Sequence, residues 1–204
     1  MSTAAAPARP GLVLADLLPS PKLFGQGDSA TRVRDITLVV GGAALTGIAA
    51  QIALPVPGSP VPVSGQTFAA LLVGTALGAR RGLLSLALYA VAGMAGMPWL
   101  AQGASGYAMP SFGYILGMLL AATAVGHLAR RGGDRSMLRM AGTMAAGSAI
   151  IYAVGVPYLA LATGMSLGEA VAAGLVPFLI GDALKAALAM GTLPTAWKLL
   201  GRRD

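Results

Sequence analysis

Residues 177–191 read PFLIGDALKAALAMG, a run fit for a lipid bilayer except for Asp182 and Lys185. A charge inside a membrane helix costs roughly 2.5–3.5 kcal/mol on insertion scales, so an acid and a base in one segment need a compensating role. Three residues apart, they share a helical face and point into the same space. They can partly neutralise each other. An ionised Asp only accepts hydrogen bonds and Lys only donates them, so each keeps capacity for a further partner. One reading is an internal salt bridge that locks helix packing. Another is a polar site for a ligand that offers both N–H donors and an anionic group. A proton relay through Asp182 is a third.

Other chemistry finds little support. The chain has no cysteine, which rules out disulfides, thiolate nucleophiles and cysteine-based metal sites, and no metal or cofactor is expected. GASG (103–106) has the G-x-S-G form of rhomboid proteases, with His127 as the lone histidine. A serine nucleophile needs its base within about 2.6–3.2 Å. Ser105 belongs to an outer loop, and His127 lies roughly 21 Å deeper at helical rise. No enzymatic activity is expected.

The elements that must position the pair follow from composition. The 204 residues are 56% hydrophobic and 10% charged, far below the charge of about 25% usual in soluble domains. Apolar segments fall at 35–55, 66–79, 82–97, 113–129, 137–162 and 177–200. Thirteen of the 14 basic residues cluster at the tail, at Arg80–Arg81, at 130–139 and at the C-terminus. That is a loop pattern at a membrane surface, not a nucleic-acid face with interleaved aromatics. The connections at 56–65, 98–112 and 163–176 contain no Lys or Arg. By the positive-inside rule this predicts six transmembrane helices with both termini cytoplasmic, an all-α polytopic bundle over 34–204. Residues 1–33, rich in Pro, Ala and Ser, read as a poorly ordered cytoplasmic tail. The ARRG stretch (79–82) reads as the turn of a helical hairpin. Ser166 and Glu169 match a capping box, predicting a short outer helix over 165–174, and Pro177 suits the first turn of the last helix. Asp182 then lies about 8 Å below that helix start, in the outer part of the membrane.

Three motifs in order resemble one family: QTFAALLVGTALGARRGLLSLALYAVAGMAGMPWLAQG (66–103), PSFGYILG (110–117) and PFLIGDALKAALA (177–189). They resemble the BioY family, biotin-specific substrate-binding S components of energy-coupling-factor transporters, over about residues 34–200. The resemblance implies a biotin pocket near the outer face of an S-component-like bundle in a prokaryotic cell membrane. Asp182 would accept from a ureido N–H of biotin, and Lys185 would pair with the carboxylate or steady Asp182. A loop from Gln102 to Tyr114 would close over the ligand, bringing Ser111 and Gly113. Tyr107, Tyr114 and Tyr158 would pack on its rings, with Gln66 a further candidate. Family members commonly have Gly or a small residue where this chain has Phe112.

The chain has no G-x-x-x-x-G-K-[ST] phosphate loop. The resemblance implies a transmembrane coupling subunit and a pair of cytoplasmic ATPases, which use ATP. It also implies docking of the first helix through small residues. Ala43 with Gly47, or Ala49 with Ala53, gives the spacing for close helix approach. A transporter working without ATPase partners is the alternative.

Overall fold

The computed structural model describes residues 11–18 and 28–200. The remainder of the expected tail and the basic residues at 201–204 lie outside the described residues. The described chain is helical, with helices α1 (Asp28–Ala50), α2 (Gln66–Leu77), α3 (Ala79–Met94), α4 (Phe112–Arg130), α5 (Met137–Thr163), α6 (Leu167–Gly174) and α7 (Leu179–Leu200). Four stretches are long and apolar enough to cross a membrane: α1, α4, α5 and the run Leu167–Leu200. The α2 and α3 helices have 12 and 16 residues, or about 18 and 24 Å at helical rise.

The turn between α2 and α3 is a single residue, Gly78, at φ 84°. That conformation suits glycine alone. Arg80 and Arg81 therefore stand in the first turn of α3, not in a loop as ARRG suggested. Glycine also sets the packing of the hairpin on α4. A Cβ on Gly74 would lie 2.5 Å from the Ala122 carbonyl oxygen, and one on Gly82 would lie 2.8 Å from Gly74 Cα. The three backbones meet where no side chain fits. The buried hydroxyls of Thr46, Thr75 and Ser85 each donate to a carbonyl four residues earlier in their own helix, at 2.7–2.9 Å. Their polarity is thus satisfied locally.

The two ends of the bundle differ in charge. Arg80, Arg81, Arg130, Arg139 and Lys198 fall at helix ends on one side. The other side carries a hairpin of two-residue strands, β1 (Ala53–Leu54) and β2 (Val63–Ser64), paired antiparallel. It also carries the 95–111 loop and α6, whose Ser166–Glu169 capping box forms as expected. Pro177 sits in a separate 3-10 turn, Val176–Phe178. Asp182 is accordingly in the first turn of α7, about 4.5 Å from its start.

The tail expectation does not hold for 11–18 and 28–33. Residues 28–33 belong to α1. Val13 and Ala15 are buried beside Ala129 and Leu77, and Asp16 pairs with Arg81 at 2.8 Å. Burial works to raise the Asp16 carboxyl, but the Arg81 hydrogen bond and the Val13 N–H outweigh it and hold it below its ordinary value. Beside this strap, the fully buried Asp134 accepts from Trp197 Nε1 at 2.6 Å and Arg135 Nε at 3.2 Å. Arg135 stacks over Trp197 and donates to the Leu12 carbonyl at 2.7 Å. One loop thereby ties the strap to the far end of α7.

Candidate ligand-binding site

Asp182 and Lys185 meet at the end of the bundle whose connections lack Lys and Arg, in a small cavity lined by α2, α4, α5 and α7 with Val61, Pro62 and Ser64 of the hairpin segment over it. Their side chains are 17% and 15% exposed. Lys185 Nζ donates to Thr67 Oγ1 at 2.7 Å and to Asp182 Oδ1 at 3.4 Å. The Tyr152 hydroxyl donates to Asp182 Oδ2 at 2.5 Å. The carboxylate thus receives α5 directly through Tyr152 and its own helix through Lys185, and Lys185 in turn carries the network to Thr67 of α2. Charged hydrogen bonds of this kind are about twice as strong as neutral ones.

The cavity measures about 20 Å³, room for about one water. Any larger ligand must widen it. On its far side, Ser148, Tyr152 and Asp182 also line an apolar groove of about 680 Å³ between α5, α6 and α7. Of the 22 residues of α7 only Ala189, Leu193 and Pro194 are buried, against 11 of the 19 in α4. Among the helices that line the cavity, α7 is the least enclosed by the rest of the chain.

Of the expected ligand contacts, Asp182, Lys185, Gln66 and Tyr114 line this cavity. Gln66 is buried, and its Oε1 accepts from the Tyr89 hydroxyl at 2.8 Å. The Tyr114 ring faces the cavity, while its hydroxyl donates to the Gly174 carbonyl at 2.7 Å and ties α4 to α6. Tyr107, Ser111, Gly113 and Tyr158 do not line it. They form a second group at the start of α4. Tyr158 donates to the Tyr107 carbonyl at 3.4 Å, Gly113 packs on the Tyr158 ring, and Ser111 is the N-terminal cap residue. Phe112 is accommodated there, buried with its ring 6.4 Å from that of Tyr158. Ser105 and His127 lie at opposite ends, in the 95–111 loop and the last turn of α4.

Thr67, Ser148 and Tyr152 escaped the sequence reading. Ser148 and Tyr152 are four apart on α5, a polar pair on one face of an apolar helix. That spacing was the available signal.

Ala43 and Gly47 of α1 serve the chain itself. Ala43 is fully buried, and a Cβ on Gly47 would lie 2.8 Å from the Trp99 ring. That register is already filled by internal packing, which corrects its assignment to a partner. Ala49 packs beside Gly65, and Ala53 lies in β1, beyond the helix. The outward face of α1 is instead aliphatic, with Ile36, Val40, Leu45 and Ile48 exposed.

Comparison with known proteins is consistent along the chain. The BioY family model matches residues 23–202. A probable biotin transporter BioY from Pyrococcus horikoshii is 32% identical over 162 residues, covering 78% of this chain and 93% of that protein. The biotin transporter BioY of Thermotoga maritima is 34% identical over 149 residues, covering 72% and 85%. That of Rhizobium etli is 30% identical over 140 residues, covering 64% and 74%. The crystal structure of an S-component for biotin from an ECF-type ABC transporter superposes with a TM-score of 0.75 at 22% identity, over 85% of this chain and 95% of that one. That likeness establishes the fold.

Proposed function

The chain belongs to the BioY family, and from that premise we propose that it is the membrane-embedded biotin-binding subunit of an energy-coupling-factor transporter. The observation that carries the reading is the Asp182–Lys185 pair, held by Tyr152 and Thr67 in a cavity at the end opposite the arginines. Biotin has two ureido N–H donors and a valerate carboxylate. Asp182 accepts from the ureido ring. The Lys185 contacts with Thr67 and Asp182 favour its role in steadying that carboxylate, with the ligand carboxylate as a further partner once the cavity opens.

In this reading the basic end is cytoplasmic by the positive-inside rule, so the cavity faces outward in the cell membrane of a prokaryote. Tyr107, Ser111, Gly113 and Tyr158 belong to the loop that closes over the opening. Energy comes from a transmembrane coupling subunit and a pair of ATPases.

Two outcomes follow. Tyr152→Phe removes one hydrogen bond to a charged acceptor, worth about 1.5 kcal/mol, so biotin affinity falls roughly tenfold while thermal stability stays within a few degrees; titration of labelled biotin reads this. Cells that express the chain with the coupling subunit and ATPases accumulate biotin, and cells that express the chain alone do not. Saturable uptake by the chain alone would instead make it a solo transporter.

A further inference from the structure

A second cleft lies at the basic end, between the first turns of α1 and α3, with a volume of about 920 Å³. Four guanidinium groups line it, those of Arg32, Arg80, Arg81 and Arg130, with two carboxylates, Asp28 and Asp35. Two of the arginines are engaged. Arg81 bonds Asp16 at 2.8 Å and Asp35 at 3.0 Å, and Arg130 donates to the Gly11 carbonyl at 2.8 Å. Arg32 and Arg80 are exposed and make no ion pair among the described residues. The cleft is therefore left with cationic capacity that its own acids do not use.

The rest of the wall is aliphatic. Ile36, Val39 and Val40 of α1 face Leu84 and Leu88 of α3, and Ile36, Val40, Leu84 and Leu88 are exposed. This surface continues the apolar outer face of a helix long enough to cross a membrane. Unengaged guanidiniums above an aliphatic trough match an anionic phosphodiester carried on acyl chains. The planar fork of Arg suits phosphate oxygens, and basic pockets between helices at a membrane surface are suited to anionic headgroups.

We propose that this cleft is a binding site for one anionic phospholipid of the adjacent leaflet, its phosphate held by Arg32 and Arg80 and its chains lying along α1 and α3. A soluble phosphate shares the headgroup chemistry but gains nothing from the trough. The site is remote from Asp182 and independent of what that pocket binds.

The test uses the full-length protein in a neutral detergent, followed by thermal unfolding. Short-chain phosphatidylglycerol raises the melting temperature saturably; phosphatidylcholine with the same chains and inorganic phosphate do not. Arg32→Gln/Arg80→Gln, which breaks no ion pair among the described residues, leaves the basal melting temperature in place and abolishes the phosphatidylglycerol shift. Arg131→Gln/Arg139→Gln removes equal charge from the same end and keeps it. Equal shifts with both lipids would overturn the proposal, as would an equal response to inorganic phosphate or equal loss in both double variants. A transport defect in Arg32→Gln/Arg80→Gln with the lipid shift intact would give those arginines to a protein partner and also overturn it.

Discussion

Asp182→Asn is expected to weaken biotin binding by roughly 30- to 700-fold, about 2–4 kcal/mol at 1.4 kcal/mol per tenfold. Two losses combine. The ligand loses a charged acceptor, and hydrogen bonds to charged groups contribute about 1.5–3 kcal/mol. The cavity also loses the anion that holds Tyr152 and Lys185 in place, at 2.5 and 3.4 Å. The single variant leaves the Lys185 ammonium with Thr67 alone, so it is destabilised as well, because a buried charge has lost its partner. The double variant Asp182→Asn/Lys185→Met separates the two effects. It leaves no unpaired charge, so melting temperature recovers while binding does not. A pair that only locked the helices together would give full binding in the double variant.

The second large effect is on stability. Gly74→Leu is expected to cost about 3 kcal/mol, at the upper end of ordinary overpacking. For a chain of this size that lowers the melting temperature by roughly 6–12 °C. Here the obstacle is backbone, since the added Cβ meets the Ala122 oxygen at 2.5 Å and Ala122 Cα at 2.6 Å. A side chain could rotate away; these atoms cannot. Relief requires α2 to move off α4, which also disturbs Gly82 against Gly74. Gly142→Leu provides the contrast. Nothing lies within 4 Å of its Cβ position, and replacing glycine in a helix interior favours the helix. It should leave melting unchanged or raise it. Thermal unfolding of the two variants in detergent reads the difference directly.

How much could be read in advance varied with the kind of signal. The Asp182–Lys185 pair was conspicuous because charge is rare in apolar helices, and the capping box was legible because both of its partners are local in sequence. Tyr152 was hidden because a tyrosine in an apolar helix reads as core; only its bond to Asp182, 30 residues away, reveals its use. Gly78 was overlooked because two arginines beside a glycine resemble a loop, whereas a positive φ made one residue enough for the turn. The docked strap rests on Val13 and Ala15, two small side chains whose burial depends wholly on distant partners. Small residues on α1 were ambiguous for the same reason. Spacing shows that a close approach is possible, and only packing shows that Trp99 already makes it at Gly47.

The most direct measurement is equilibrium binding of labelled biotin to the purified chain in detergent, without coupling subunit or ATPases. Saturable binding is expected, one biotin per chain, displaced by unlabelled biotin and strongly weakened in Asp182→Asn. A wild-type chain that binds no biotin, or an Asp182→Asn chain that binds it equally well, would contradict this reading.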